Sequence, residues 1–350
     1  MIYSVVILSF ILCFGLISAQ SLDLKLMTFN VDCRLCDKHA WGDRIDGLSD
    51  TIARHSPDLI GIQETMFAPD IDDLLSATGL DEYGVVCPEL GSPEIKNKLL
   101  RSVTQGSVED LKWDACIFYK NDRFEASDST FFWLGPDPEK PGDFDMFNIP
   151  RLAVYALFTD KSTSSTFYFG STHFDHGDHM DDGIMPSTNN CVKMAQELLE
   201  FTAPLAETTP MFWTCDCNSN YRYISSFLSF LSFDSFVLIH QLFIHIRSNA
   251  FAILTNSSSD VYLEETWDLS QETDVLTNQE SHEDYDHTDS IDHIFLAQTE
   301  TYKPSVDVAT SVVDMYKYPC EQEKGGVCDD GMDQYPSDHW AIVSEMTLHF

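Results

Sequence analysis

Near its C-terminus the chain reads Tyr335-Pro336-Ser337-Asp338-His339-Trp340-Ala341-Ile342-Val343, and the rest of the sequence is organised around this stretch. A carboxylate and an imidazole stand side by side after a Pro-Ser turn and directly before an apolar, β-branched run. Both are therefore presented at the mouth of a buried strand. Adjacent Asp and His can divide labour there, the carboxylate orienting or charging a group while the imidazole exchanges a proton or holds a phosphate near neutral pH. Alone, the stretch reads equally well as a polar strand entry. Its meaning depends on how many other strands end on polar side chains.

Many do. Leu24 to Phe29 reads as a strand ending on Asn30, after which Trp41, Ile45, Leu48 and Ile52 recur at helical spacing. Ser56-Pro57-Asp58 ends that helix, and Leu59-Ile60-Gly61-Ile62 is a short buried strand with Gln63-Glu64 at its tip. Glu89 to Asp110 is polar, punctuated by Gly and Ser and poorly periodic, the pattern of a surface loop. Strands are expected at Ala115 to Tyr119, Phe124 to Trp133 and Leu152 to Phe158, the last preceded by a lone Arg151. Phe167 to Thr172 runs into His173. Cys191, Met194, Ala195, Leu198 and Leu199 fall at i, i+3, i+4, i+7 and i+8, which predicts an amphipathic helix ended by Pro204. Met211 to Cys215 opens on Asp216-Cys217-Asn218, whose two ligand-type side chains share one side of an extended chain. Ile291 to Leu296 is a further strand, with Asp292 opposite to its apolar neighbours. Tyr223 to Leu254, rich in Phe, Leu, Ile and Ser with only Asp234 and Arg247 charged, fits buried helix and strand, an insertion, or a gene-model artefact such as retained intron sequence.

Residues 1–20 carry an apolar run from Val5 to Leu16 and small residues at Ser18-Ala19, which predicts a secretory signal peptide and an extracellular protein. At roughly 12 residues the run is short for a membrane span, so no stable membrane insertion is expected. Residues 21–350 then form one large domain, without repeat or linker. The net charge is −37, from 57 acidic against 20 basic residues. That argues against a broad electropositive face for nucleic acid or anionic membrane, although acidic groups gathered round a divalent cation still make a local phosphate site. Ten cysteines fall to nine once Cys13 leaves with the signal, so at least one stays free unless a partner chain supplies a mate. Proximity favours Cys33 with Cys36 and Cys320 with Cys328 as disulfides, since no second Cys/His pair has zinc-finger spacing. The sequon at Asn256 belongs on the surface.

Asn30, Glu64, His173, Asp216, Asn218, Asp292, Asp338 and His339 thus stand at strand termini, and polar residues at many strand ends converge on one edge of a sheet sandwich. Hard oxygen donors of this kind suit Mg²⁺, Mn²⁺ or Ca²⁺ better than a thiolate-rich zinc cage. The ordered stretches Met27-Thr28-Phe29-Asn30, Trp41 with Arg44, Pro57 to Glu64, Phe132 to Gly135, Pro150-Arg151, Ser171 to His176, Cys215 to Asn218, Ile291 to Phe295 and Tyr335 to His339 resemble the endonuclease/exonuclease/phosphatase superfamily. That resemblance, spanning residues 24 to 347, implies an α/β fold, a four-layer α/β sandwich of two mixed sheets packed face to face and flanked by helices. It also implies a phosphoesterase that takes Mg²⁺ or Mn²⁺.

By the same resemblance Glu64 ligates the metal with help from Asn30, and Asp338 is a further metal-side carboxylate. Asp216 orients or deprotonates the attacking water and Asn218 holds the phosphate. His173 and His339 bind phosphoryl oxygens, Asp292 supports His173 or the leaving group, and Arg151 lies near the phosphate. Three departures stand out: Cys215 and Cys217 replace the usual Gly and Phe, Ser290 replaces a common Arg, and the Tyr223 to Leu254 block replaces a helix.

The leading expectation is a secreted, monomeric, metal-dependent phosphoesterase acting on a small ester or phospholipid head group. Nucleic acid enters only as a substrate, which makes a secreted nuclease the alternative. A catalytically silent binding module on the same fold is the rival from another class. Asp175, His176, Asp178 and His179 are read as a solvated loop beside a functional His173, Ser281 to His287 as an exposed acidic loop, and Phe131-Phe132-Trp133 as core.

Overall fold

The structure is a computed structural model, and it describes residues 20–34, 40–77, 79–88, 114–142, 150–175, 188–219, 250–276, 290–315 and 336–350. Residues 1–19, expected as a signal peptide, the stretches Glu89 to Asp110 and Ser281 to His287, expected as loops, and His176 to His179, Cys36, Cys320, Cys328 and most of the Tyr223 to Leu254 block lie outside the described residues. Among the described residues, no helix is long and apolar enough to cross a membrane.

Two mixed sheets form the centre. The first contains β1 (Ser21–Asn30), β2 (Leu59–Gln63), β3 (Tyr83–Val86), β4 (Ala115–Lys120), β10 (Glu272–Leu276), β12 (Ser305–Asp314) and β13 (Ala341–His349), in the order β10-β12-β13-β1-β2-β4-β3. The second contains β5 (Phe124–Trp133), β6 (Leu152–Asp160), β7 (Thr166–His173), β8 (Met211–Asp216), β9 (Val261–Glu265) and β11 (Asp292–Thr299), in the order β5-β6-β7-β8-β11-β9. The central strands are apolar on both faces because each sheet is covered twice. β2 and β8 are buried at every residue.

One core lies between the sheets, where Leu24, Leu26, Leu59 and Ile117 meet Val154, Phe158, Phe169, Phe212 and Ile294. The outer face of the first sheet packs Met27, Ile60 and Phe118 under Leu48 and Ile52 of helix α1 (Trp41–His55) and Leu74 of α2 (Ala68–Ser76). The outer face of the second packs Trp213, Cys215 and Phe295 under Met194, Ala195 and Leu198 of α3 (Thr188–Ala206), with Phe251 of the short α4 (Ala250–Leu254). Helix, sheet, sheet, helix is the expected four-layer order. The sheets approach so closely at Gly61 that a Cβ there would stand 1.6 Å from Thr214 Oγ1, so no larger residue fits without moving a strand.

Several local expectations change. α3 runs through Pro204 to Ala206. Proline so near the C-terminus removes only one backbone hydrogen bond, and Leu198 and Leu199 still anchor the helix on the sheet. α2, β3, β9, β10, β12 and the single-turn α5 (Thr266–Leu269) form where no element was expected. Three residues at the end of the Tyr223 to Leu254 block belong to the core: Ala250, Phe251 and Leu254 are buried under the second sheet.

Among the described residues, disulfides join Cys87 to Cys116 and Cys215 to Cys217, two pairs that were not expected; Cys33 is also disulfide-bonded, and the expected partners Cys36, Cys320 and Cys328 lie outside the described residues. Cys191 is buried, its thiol donating to Asp175 O at 3.0 Å.

Candidate functional site

Strand register puts the polar strand ends in one row. Asn30 pairs with Gln63 and Gln63 with Ala115 in the first sheet, while Asp216 lies beside both His173 and Asp292 in the second. Asn30, Glu64, His173 and Asp216 are thus C-terminal strand ends, and Asp114, Arg151, Asp292 and His339 precede or begin strands running the other way. All open on the same edge of the sandwich.

Asn30 sits at the centre. Its Nδ2 lies 3.0 Å from Glu64 Oε1, 2.9 Å from Asp216 Oδ2 and 3.4 Å from His339 Nε2, and its Oδ1 accepts the backbone N–H of Asp32 at 2.9 Å. Glu64 is held by the Cys33 N–H on its second oxygen and by its own N–H donating to Asp114 O at 2.7 Å. Its φ of +66° is a strained value for a non-glycine residue.

Asp216 Oδ2 also lies 3.2 Å from His173 Nε2 and 3.7 Å from His339 Nε2. Burial by itself would raise the Asp216 carboxyl, but His173 and His339 override it and hold the pKa below the usual carboxylate range. His339 Nδ1 meets Asp292 Oδ2 at 2.8 Å. Burial opposes a charge on His339, yet Asp292 and Asp216 raise its pKa well above the ordinary value. Asp292 is itself pushed up by burial, against His339 and with Asp216, so the Asp292–His339 pair holds on to a proton.

Asp114 carries no strand pattern and was not anticipated. It lies just before β4 at φ +37° and is 4% exposed. Its carboxylate binds Arg151 Nη1 and, at 3.0 Å, His173 Nδ1. Burial would raise this carboxyl too, but Arg151 and His173 hold it well below the usual range. Burial and Arg151 depress His173, and Asp114 with Asp216 more than restores it.

Of the two roles expected for Asp292, support of His173 falls to Asp114, while Asp292 bonds His339. Arg151 is 3% exposed and committed to Asp114, so it acts on the site through His173 and does not stand at the surface. Asp175 is likewise buried, against Asn190 at 3.4 Å, instead of solvated. Asn218 meets Asp216 by a turn and not along an extended strand: its φ is +46° and its N–H donates to Asp216 Oδ1 at 3.1 Å.

The candidate metal carboxylates divide. Glu64 faces Asn30 and Asp216, whereas the Asp338 side chain is 69% exposed on the rim, 3.8 Å from His339 Nε2. Asp216, Asp292 and His339 also cluster closely enough to hold an ion. The hydrogen bond between Asp292 and His339 makes that trio a proton-holding pair beside a carboxylate. Beside it, Ile291, Val313, Trp340 and Ile342 line a cavity of about 150 Å³.

The endonuclease/exonuclease/phosphatase family model matches residues 27–188, which contain Asn30, Glu64, Asp114, Arg151 and His173. Over that segment, just under half of the chain, the sequence is similar to that superfamily. No curated protein matches it in sequence. Among solved structures, a family member from Bacteroides thetaiotaomicron superposes with a TM-score of 0.63 at 20% identity, covering 94% of this chain and 98% of that one. A mannosyl-6-phosphatase from the same organism gives 0.62 at 19% identity, covering 92% and 99%. The human nocturnin catalytic domain with bound sulfate gives 0.56 at 13%, covering 95% and 97%. At these identities the likenesses establish the superfamily's fold. Its members are phosphoesterases and nucleases, which supports a hydrolase.

Arg44, part of the same matched segment, explains how two distant loops meet at the site. Its fully buried guanidinium donates to Val31 O at 2.9 Å, Asp32 O at 2.6 Å and Cys33 O at 3.3 Å after β1, and to Pro336 O at 2.9 Å before β13. Ser337 Oγ adds a bond to Asn30 O at 2.7 Å. The family motif at Trp41 and Arg44 is in this respect a fastening for Asn30 and His339.

Proposed function

We propose that the protein is a secreted, divalent-metal-dependent phosphoesterase that hydrolyses small phosphate esters or phospholipid head groups by in-line attack of water. The observation that carries this reading is Asp216, an ionised carboxylate held by Asn30 between two imidazoles, next to Glu64. The oxygen donors of Glu64, Asn30 and Asp338 have the hard-ligand chemistry that Mg²⁺ or Mn²⁺ prefers, and these residues would hold it. Such an ion supplies charge stabilisation on the phosphoryl oxygens.

The chain's own residues do the rest. Asp216 orients the water and accepts its proton as attack proceeds, its low pKa making orientation the larger part. His173, charged against Asp114, and Asn218 face the phosphoryl oxygens. His339, keeping its proton through Asp292, donates toward the scissile group. The signal-like N-terminus supports secretion.

Substrate preference follows from charge. With a net charge of −37 and Arg151 withdrawn into the protein, a long polyanion gains little from distributed cations. A small ester needs only the site itself, and the likeness to a mannosyl-6-phosphatase adds sugar phosphates to the esters worth testing. The test compares kcat/KM for plasmid DNA, a short phosphodiester, a hexose phosphate and sphingomyelin micelles at fixed ionic strength, with Mg²⁺ or Mn²⁺ and with EDTA. Activity that needs the metal and favours a small ester or head group is expected. Full activity after metal removal would overturn the mechanism, and a preference for plasmid would make the protein a secreted nuclease.

A further inference from the structure

His293 follows Asp292 on β11, so its side chain points away from the open edge into the layer under α3 and α4. There it is fully buried, its ring 4.8 Å from that of Phe251 and 5.2 Å from that of Phe295. Nδ1 lies 2.5 Å from Glu265 Oε1 and Nε2 lies 3.0 Å from Ser219 O. The Ser219 carbonyl can only accept, so Nε2 donates to it; burial opposes a charge on the ring, but the 2%-exposed Glu265 outweighs it and raises the His293 pKa, which favours an imidazolium paired with the Glu265 carboxylate.

A buried ion pair in an otherwise apolar layer adds little stability, because apolar residues of the same volume pack there at no desolvation cost. What this pair does hold is the carbonyl of the residue after Asn218. Asn218 is in the left-handed region at φ +46°, a conformation that asparagine tolerates but that its neighbours must select. It stays there because its neighbours are fastened: Cys217 N–H donates to Ile291 O at 2.8 Å, Ser219 Oγ accepts Phe251 N–H at 3.2 Å, and His293 takes Ser219 O. From that position Asn218 Nδ2 donates to Phe174 O at 3.1 Å and lies 3.2 Å from His173 Nε2, while its N–H serves Asp216.

We infer that His293 and Glu265 are positioning residues for the reaction, holding Asn218 in its left-handed turn through the Ser219 carbonyl from the face of β11 opposite to Asp292. The inference rests on the role given to Asn218 above. It differs from a satisfied core histidine in one consequence: removing the pair without opening a cavity leaves stability intact and disturbs Asn218.

The test is the double variant H293F/E265L, which replaces the charges with apolar side chains. It should unfold at the same temperature as the natural protein or higher, while kcat falls at least about tenfold with little change in KM. Asn218→Ala should erase that difference, because the pair then has nothing to position. A readout independent of turnover is the side-chain amide NMR signal of Asn218, assigned by its loss in Asn218→Ala. It should broaden or shift in the double variant, and an unperturbed signal would overturn the inference whatever the enzyme's substrate. Activity absent from the natural protein on every ester would count against the proposed function alone, with the NMR comparison still deciding this one. If the double variant does not fold, the comparison is made with Glu265→Gln, which leaves His293 without its counter-charge. An unchanged Asn218 signal there also refutes the positioning role.

Discussion

Replacing Asp114 by Asn tests the centre of the electrostatic design with little change of shape. The wild-type carboxylate bonds Arg151 and His173 at side-chain exposures of 5%, 4% and 1% respectively. Asparagine can accept from one of them but turns an N–H₂ toward the other, leaving a buried cation uncompensated. Breaking a buried pair in this way costs about 3–5 kcal/mol, a large share of the roughly 5–15 kcal/mol that holds a domain together. Asn also tolerates the left-handed backbone at φ +37°, so the loss is not backbone strain.

With a urea m-value of about 3 kcal/mol/M, the unfolding midpoint should fall by about 1–2 M. Because the folded pKa of Asp114 is depressed, its contribution is present above its unfolded value of about 3.9 and is lost as pH falls through the folded value. The stability gap between wild type and variant should therefore be constant near neutrality and close in acid. Activity should drop about 10- to 100-fold as His173 loses its orientation. A variant destabilised by less than about 1 kcal/mol, or a gap unchanged in acid, would refute the reasoning.

The Asp292–His339 pair predicts an alkaline limb in kcat/KM. The raised pKa of His339 means that the stabilisation from its charge is full below about pH 6.5 and lost as pH rises through the higher folded value, and Asp292→Asn should move the limb to lower pH. A limb that does not move would place the acid elsewhere. Arg44→Met orphans carbonyls on both sides of the site and should lower stability by at least about 3 kcal/mol in chemical denaturation, with Arg44→Lys recovering part of it. A loss under about 1 kcal/mol would show that water replaces the guanidinium. Since Ser219 Oγ and Phe251 N stand 3.2 Å apart, residues 221–248 should be replaceable by a short Gly-Ser linker with fold and activity kept. An insoluble or unfolded product would show that the segment is integral.

The strand ends were legible in the sequence because a polar residue at the border of an apolar run has a local signature. The runs ending at Asn30, Gln63-Glu64, His173 and Asp216, and those beginning at Asp292 and after His339, appear as strands with these residues at one edge. The two-sided burial of the sheets could be read from continuous runs such as Leu59 to Gln63, and helix α3 from its 3.6-residue periodicity.

Pairing was not legible. Sequence spacing fixes which strand carries a residue, but the lateral order of strands, and the facing of one sheet by the other, decides which side chain it meets. Asp114 therefore came from outside any pattern to hold His173, Asp292 went to His339, and Arg151 turned from the phosphate into the protein. The same holds for Cys215 with Cys217, read as two separate replacements and found bonded, and for His293, whose partners Glu265 and Ser219 lie 28 and 74 residues away. Local chemistry set the edge at which the reaction groups gather. Only the stacking of two sheets, which brings distant strand ends within hydrogen-bond reach, set the charge and orientation of each group there.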